Sequence, residues 1–144
     1  MSITGAHTAA RAGSDENLSA HLQMIQGVIG RMGQNAFNAK TWAITVMAAV
    51  FALGSTFTSS RTDAAIVALA LLLFWTMDAY FLRQEHLFRD LYDAVVRGEA
   101  PMFSMDTSPH RAVVGSTLRF VVSRSVWPVH LITVLVVGAR AFKG

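Results

Sequence analysis

The chain has 144 residues, of which 53% are hydrophobic and only 15% are charged, and its mean hydropathy is +0.42. Soluble domains carry about a quarter charged residues, so this shortage of charge indicates that lipid forms part of the solvent. The formal net charge is +3, but there is no basic stripe with interleaved aromatic residues, and we expect no nucleic-acid partner. The absence of cysteine excludes disulfides, thiol catalysis and cysteine-bound zinc.

The first predicted element is an amphipathic helix over residues 14–38, for which Ser14 or Asp15 is a suitable N-cap. Its apolar residues recur at steps of three and four, the pattern of a helix that packs on another helix. They are Leu18, Leu22, Ile25, Ile29, Met32 and Ala36. Three glycines interrupt the segment, each costing about 1 kcal/mol relative to alanine. We therefore expect this helix to depend on a partner, and the apolar stripe within residues 88–95 is a candidate.

Two apolar segments follow, over residues 41–57 and 64–82, and the only charged residue in either is Asp78. Both reach the lower limit of about 17 residues for a helix that crosses the hydrocarbon core of a bilayer. The connector over residues 58–63 is short and polar. The two segments therefore predict an antiparallel transmembrane hairpin.

The second span continues into a polar helix over residues 83–97, in which Glu85 and Arg89 are spaced for an i,i+4 ion pair. A loop over residues 98–110, rich in glycine and proline, ends that helix. Residues 126–142 form a third apolar segment, which we predict to be a third span. Three residues weaken this prediction: Pro128, His130 and Arg140. The alternative for this segment is a helix that lies in the membrane interface.

Charge orients these segments, because nine of the twelve basic residues lie before the first span or between the second and third. The positive-inside rule places those parts in the cytoplasm. The expected fold class is therefore all-α. It is an integral membrane helical protein with an antiparallel transmembrane hairpin, a third span, and N-terminal and juxtamembrane cytoplasmic helices, all in one domain over residues 1–144. The expected topology is multi-pass with a cytoplasmic N-terminus, and three spans put the C-terminus outside.

Asp78 lies near the predicted cytoplasmic boundary of the second span. A charge at the bilayer centre costs about 3 kcal/mol, and less near the interface. The commoner explanation is a structural ion pair or hydrogen bond to the start of the first span, where Asn35 and Lys40 are the best candidates by depth. The functional alternative is an acidic ring at the mouth of a pore formed by several chains. The predicted polar link at the membrane boundary consists of Asn35, Lys40, Trp75, Asp78, Glu85 and Arg89.

A second face, on the first span, carries small and hydroxylated side chains at helical spacing. This seam consists of Thr41, Thr45, Ala48, Ala52 and Ser55. Small residues let membrane helices approach closely, and hydroxyl groups can bond across the interface. The same residues could instead line a narrow, weakly polar pore. Packing is the commoner explanation, an oligomer allows both, and we expect a homo-oligomer.

Motifs of enzyme chemistry are absent: there is no HExxH, no GxSxG and no phosphate-cradling glycine loop. His86 and Asp90 are spaced i,i+4 and could hold a metal ion, but no second pair accompanies them. His130 shares a helical face with Thr133, and an isolated histidine is more often a hydrogen-bonded structural group than a proton relay. We therefore expect no enzyme activity, no cofactor and no metal site.

Two stretches of the sequence also resemble a known family. "RMxxNxFxxKxW" begins at Arg31 and "FWxxDAYFLRQExLFRxLYD" begins at Phe74, and the likeness covers roughly residues 21–97. Both patterns resemble the SLATT family (SMODS and SLOG-associating two-transmembrane effector domains) of small bacterial membrane proteins. The resemblance implies an inner-membrane effector of a bacterial conflict or antiviral defence system that opens pores when a partner senses invasion. The predicted third span is not part of the basic two-span domain, and no fused sensor is present.

Two functions are therefore expected to compete. The first is an oligomeric membrane effector that forms pores or disrupts the membrane, with the lipid bilayer, copies of itself and a soluble sensor or regulator as partners. The second is a non-conducting anchor or scaffold whose cytoplasmic helices dock a soluble protein. A transporter ranks third, because the chain is short and has no internal repeat.

Overall fold

The computed structural model of the chain describes residues 3–53 and 61–141. The described residues form helices, turns and loops without any strand, so the prediction of an all-α fold is confirmed for this part of the chain. The elements are α1 (Ile3–Leu53), α2 (Arg61–Val96), a 3-10 turn (Ser108–His110), α3 (Arg111–Val114), α4 (Thr117–Val121) and α5 (Trp127–Ala141).

The first helix, α1, is a single unbroken element of 51 residues. The predicted start at Ser14 or Asp15 is wrong, because the helix already includes Ile3. The stretch before Ser14 is rich in alanine, the best helix former, so nothing there ends the helix. Ser14 Oγ donates to the backbone carbonyl of Arg11 at 2.8 Å, within the helix, instead of capping an N-terminus. The predicted cytoplasmic helix and the described part of the first span, up to Leu53, are therefore one rod.

The two long helices lie antiparallel and keep one register. Lys40 on α1 contacts Asp78 on α2. Seven residues earlier on α1 and seven later on α2, a Cβ added at Gly33 would lie 3.3 Å from Glu85 Oε2. That spacing is tighter than most real Cβ contacts, so glycine at position 33 allows the Glu85 side chain to lie against α1. The hairpin is long, since 51 helical residues extend over roughly 75 Å.

The core of the hairpin is divided into clusters along its length. Nearest to the 54–60 connection, Ala43 and Val50 pack on Val67 and Leu71. At the opposite end the buried residues are Ile25, Leu91 and Val95, with Leu18, Leu22, Ile29 and Phe88 packed against them. The interrupted amphipathic helix and the 88–95 stripe therefore do pack on each other.

Helix α2 ends at Val96 in a Schellman motif, a standard helix C-terminus that needs a left-handed residue. Gly98 has φ +72° and donates its N–H to the Val95 carbonyl at 3.0 Å, while Glu99 donates to the Ala94 carbonyl at 2.8 Å. The loop beyond it includes the exposed acidic side chain of Asp106. Hydrogen bonds from the Ser108 hydroxyl and backbone N–H, followed by the positive charge of Arg111, hold the pKa of the Asp106 carboxyl below its usual value.

The loop is fastened to α1 by His21, whose side chain is fully buried. Its Nε2 lies 2.9 Å from the Ser104 carbonyl oxygen, and its Nδ1 accepts the Phe103 N–H at 3.2 Å. An accepting Nδ1 and a carbonyl partner for Nε2 together define the neutral Nε2–H tautomer. Phe103 has φ +59°, a left-handed conformation that costs a non-glycine residue roughly 1–2 kcal/mol. The His21 contacts offset that strain.

The segment after the loop packs against the middle of α2. Val114, Phe120 and Val126 form a buried cluster with Ala79 and Leu87 of α2.

A hydrogen bond from α2 also holds this segment: Arg83 Nε donates to the Gly115 carbonyl at 2.7 Å. Gly115 has φ +85° and ψ −167°, a combination that is essentially restricted to glycine, so the turn between α3 and α4 needs this residue.

The part of the molecule nearest to the 54–60 connection exposes large apolar side chains on α1, α2 and α5. This apolar belt consists of Trp42, Ile44, Phe51, Ile66, Leu69, Leu72, Leu73, Met77, Ile132 and Leu135, each at least 45% exposed. The far part of α1 exposes polar residues instead, among them Asn17, Gln23, Gln26, Arg31 and Gln34.

By length and composition alone, one helix of the described chain can cross a membrane: Thr62–Val96, with mean hydropathy 2.0 over an 18-residue window of which 22% is buried. The predicted first span is described only to Leu53, and α5 has 15 residues.

The first testable prediction concerns the loop. His21→Ala removes both hydrogen bonds and leaves the Phe103 strain without compensation. We expect the free energy of unfolding to fall by about 1–3 kcal/mol. Amide hydrogen exchange at Phe103 should accelerate well beyond the change at α2 amides. Gln23→Ala, at an exposed position on the same helix, is the control. Unchanged exchange at Phe103 in the His21 variant would show that other contacts hold the loop.

Candidate functional site

The candidate site is built around one carboxylate in the interior of the helical assembly. Asp78 lies on α2 and its side chain has no exposed surface. Lys40 Nζ of α1 lies 2.5 Å from Asp78 Oδ1, and His130 Nε2 of α5 lies 3.1 Å from Asp78 Oδ2. Each carboxylate oxygen therefore has its own partner on a different helix. We call Lys40, Asp78 and His130 the Asp78 clamp.

The geometry of α5 follows from two of its contacts. Val126, just before α5, packs with Ala79 and Leu87, whereas His130 reaches Asp78 and stacks on Trp75. Moving forward along α5 therefore means moving backward along α2. The two helices are antiparallel at the site, and the clamp holds α1, α2 and α5 together.

His130 is fixed on several sides. Its ring stacks on Trp75 with 5.8 Å between centroids and 10° between planes. The indole N–H of Trp75 donates to the Val121 carbonyl at 3.0 Å, which holds the indole in place. Thr133 Oγ donates to the His130 carbonyl at 2.6 Å, so this buried hydroxyl is satisfied within its own helix. The imidazole therefore has little freedom to turn away from Asp78.

Charge balance explains why this arrangement is stable. Burying an unpaired carboxylate costs several kcal/mol of desolvation free energy, so a fully buried Asp78 requires a cation and further hydrogen bonds. With His130 neutral, Lys40 and Asp78 sum to zero charge, and the imidazole N–H satisfies the second carboxylate oxygen. The Lys40 side chain is 21% exposed, so its ammonium stays close to the surface while its partner is buried.

The clamp leaves one polar atom without a partner. His130 Nδ1 and Ser123 Oγ are the two buried side-chain polar atoms that have no hydrogen bond in the described part of the chain. An unsatisfied buried polar atom costs about 1–3 kcal/mol. The bond to Asp78 and the stacking on Trp75 therefore hold His130 in place, and they offset the free-energy cost of leaving Nδ1 without a hydrogen bond.

The other residues of the predicted polar link lie in different surroundings. Glu85 Oε1 accepts from Arg89 Nη2 at 2.6 Å and from Nε at 3.0 Å, the i,i+4 pair predicted from the spacing, and Arg89 is more than half exposed. Asn35 is partly buried, and its side chain makes no hydrogen bond to another described residue. The link thus divides into the buried clamp with Trp75 and a separate surface pair, while Asn35 belongs to neither.

The small-residue seam points outward. Thr41, Thr45, Ala48 and Ala52 are all exposed, because α1 packs on α2 through the neighbouring Ala43 and Val50. Thr41 Oγ donates to the Phe37 carbonyl at 3.1 Å and Thr45 Oγ to the Thr41 carbonyl at 2.9 Å. Their hydroxyl protons are therefore used within the helix, and only oxygen lone pairs face outward. Ser55 lies outside the described residues.

Two roles do not follow from the sequence patterns above, although one of them has a signal in the sequence. His130 was assigned no partner, yet it and Asp78 are isolated polar groups in apolar segments, and each needs a buried partner. His21 was not singled out, because a histidine within an amphipathic helix has no distinctive spacing. The sequence gives no local signal for its bonds to Ser104 and Phe103, which are more than 80 positions away.

The cluster offers no group of metal ligands, since no three histidine or acidic side chains come together in the described residues. Comparisons with protein-family models, with curated proteins and with solved structures found no match to this chain.

The second testable prediction is a double-mutant cycle on the clamp. Asp78→Asn keeps an acceptor for His130 but strands the Lys40 charge, and Lys40→Met strands the Asp78 charge. Removing one partner of a buried pair lowers the free energy of unfolding by about 3–5 kcal/mol. Because Lys40 is partly exposed, we expect the value for each single variant to lie at the lower end of that range. The coupling free energy from denaturant unfolding should be about 1–3 kcal/mol.

The exposed pair supplies the matched control for that cycle. Glu85→Gln and Arg89→Met alter an ion pair on the same helix at a more exposed position, where a coupling of roughly 0.5 kcal/mol or less is expected. Equal coupling energies in the two cycles would contradict a special structural role for Asp78.

Proposed function

We propose that this chain is an integral membrane protein that assembles as a homo-oligomer and acts as a pore-forming effector. The observation that carries the proposal is the apolar belt. Soluble monomers rarely expose contiguous apolar patches larger than a few hundred Å². The belt extends over α1, α2 and α5 and contains no exposed charged side chain among the described residues. In a bilayer these side chains face lipid chains instead of water.

In the proposed arrangement, α1 and α2 cross the bilayer as an antiparallel hairpin and α5 enters beside them. The clamp lies at the depth where the outer surface changes from apolar to polar. The basic residues beyond it favour a cytoplasmic position for that polar end. The 15 residues of α5 cover about 22 Å, less than the roughly 30 Å hydrocarbon core. The length of α5 therefore favours entry into the bilayer over a complete crossing by this helix.

The seam supports self-association. Thr41, Thr45, Ala48 and Ala52 are all exposed in the described part of the chain, and small residues at this spacing allow close helix packing. Around a symmetry axis the same strip would present threonine oxygens to a central pathway. In the proposed oligomer the Asp78 carboxylate does not line the central pathway, because Lys40 neutralises its charge inside each subunit. The SLATT resemblance supports an inner-membrane bacterial effector triggered by a soluble sensor.

A second candidate, a non-conducting anchor or scaffold, is favoured by one specific observation. The belt contains no exposed charged group in the described residues, so a pathway along the seam would have only weakly polar walls. Under this alternative the hairpin holds the polar ends of α1 and α2 at the membrane surface for a soluble partner.

The third testable prediction concerns assembly. Ala48→Leu together with Ala52→Leu adds bulk to the seam and should shift the purified protein in detergent from oligomer to smaller species. Native mass spectrometry measures the change. Ala65→Leu, at an exposed position on α2 away from the seam, is the control and should leave the distribution as it is. If both variants assemble like the parent, the seam faces lipid.

The fourth testable prediction separates the two functions. Liposomes that contain the parent protein should release a trapped ion gradient, and Thr45→Leu should slow the release at equal reconstitution because it narrows the seam. Thr76→Leu is the matched control. That threonine is also exposed and bonded to its own helix, with Oγ 2.8 Å from the Leu72 carbonyl, but it lies on α2. Gradients that persist with oligomeric parent protein would support the scaffold.

A further inference from the structure

The segment between the loop and α5 has an unpartnered apolar face. Leu118 of α4 is 76% exposed and Val122, the C-cap residue of that helix, is 70% exposed, and their i,i+4 spacing puts them on the same side. Phe120 points the other way, into the cluster against α2. The short helix is thus apolar on both sides, with only one side covered by the chain itself.

Contacts with α2 fix the depth of this segment. Trp75 donates to the Val121 carbonyl, and the Phe120 ring lies 5.2 Å from the ring of His86. Helix α4 therefore lies beside residues 75–86 of α2, the stretch in which α2 changes from the apolar belt to charged residues. The Arg83 bond to Gly115 ties the segment to the same stretch. Under the proposed membrane arrangement, this is the depth of the phospholipid headgroups.

The charge of the segment is of one sign. The sequence contains no aspartate or glutamate after Asp106. Arg119 and Arg124 are exposed, and neither forms an ion pair with a described residue. Trp127, at the start of α5, is 41% exposed, and tryptophan is enriched at membrane–water interfaces. Apolar, basic and aromatic groups at one depth are the composition of an interfacial anchor.

We propose that residues 111–127 form an interfacial foot that inserts Leu118 and Val122 into the leaflet and binds anionic phospholipid headgroups through Arg119 and Arg124. This inference rests on the proposed membrane function. A lipid surface is the partner proposed for this face, for two reasons. The guanidinium groups of Arg119 and Arg124, which form no ion pair with a described residue, lie next to the apolar face. The apolar face itself continues the apolar belt at its polar edge. Each arginine should strengthen the association with anionic lipid by roughly fivefold at low salt.

Single-cysteine labelling tests the foot cleanly, since the chain has no cysteine of its own. Full-length Leu118→Cys carries a fluorophore in nanodiscs with phosphatidylglycerol and lipid quenchers at both shallow and deep positions. Leu69→Cys, 60% exposed in the belt, reports on the hairpin, and Met24→Cys, 49% exposed on the polar part of α1, reports on the aqueous side. Quenching at Leu118 together with little quenching at Met24 supports the foot.

The Leu118 and Leu69 labels separate the two proposals. If Leu69 is quenched and Leu118 is not, the hairpin stands, the foot is overturned, and its apolar face is left for a protein partner. If neither is quenched, the proposed membrane function fails and the foot fails with it. Quenching at Leu118 without quenching at Leu69 would support surface binding by the foot while overturning the hairpin.

A second comparison tests the headgroup chemistry. Arg119→Gln with Arg124→Gln should reduce Leu118 quenching several-fold in phosphatidylglycerol nanodiscs, and high salt should have the same effect on the parent. Arg11→Gln with Arg31→Gln removes the same charge from exposed positions on α1 and should change little. Equal quenching in purely zwitterionic nanodiscs, or no effect of the Arg119 and Arg124 changes, would overturn the assignment of these arginines to anionic headgroups.

Discussion

The buried carboxylate of Asp78 is the constraint on which the arrangement of the helices depends. Apolar contacts such as those of Ala43, Val50 and Leu71 are non-directional, and two long rods with such surfaces could pack in neighbouring registers. A shift of one helical turn, about 5.4 Å, would separate Lys40 from Asp78 and leave a charge buried without its partner. We infer that the clamp selects one register of α1 on α2 and, through His130, one position of α5.

This structural role changes what the carboxylate can do. An acidic ring at a pore mouth requires a carboxylate that faces a shared aqueous space, whereas both oxygens of Asp78 are already occupied within one chain. Asp78 is therefore unavailable for such a ring, and in the proposed pore the pathway would be lined by the uncharged side chains of the seam on α1. Its threonines turn their hydroxyl protons toward their own helix, so they would present acceptors to a permeating ion.

The sequence was most informative where one chemical requirement determined the answer. Periodicity identified the helices and the pairing of the amphipathic helix with residues 88–95, and the isolated charge at Asp78 pointed to Lys40 as one of two candidates. It was misleading at Ser14, where a good capping residue lies within a helix that its alanine-rich neighbours extend. It was silent on the contacts of His130 and His21, which depend on how distant segments fold back on the hairpin. Local preference can identify an element, but it cannot show which distant element covers it.

The chain itself links the foot to the clamp, since α5 carries both Trp127 and His130, and one further side chain adds a second link. Trp75 stacks on His130 on one side and donates its indole N–H to the Val121 carbonyl, at the end of α4, on the other. A movement of α4 away from α2 must break this bond or draw the indole away from His130. The other tie, from Arg83 to Gly115, ends on the backbone before α4 and does not touch the clamp. Lipid binding at the foot would therefore act on the Asp78 clamp through Trp75, which gives the membrane surface a direct physical route to the contact that sets the register of the hairpin.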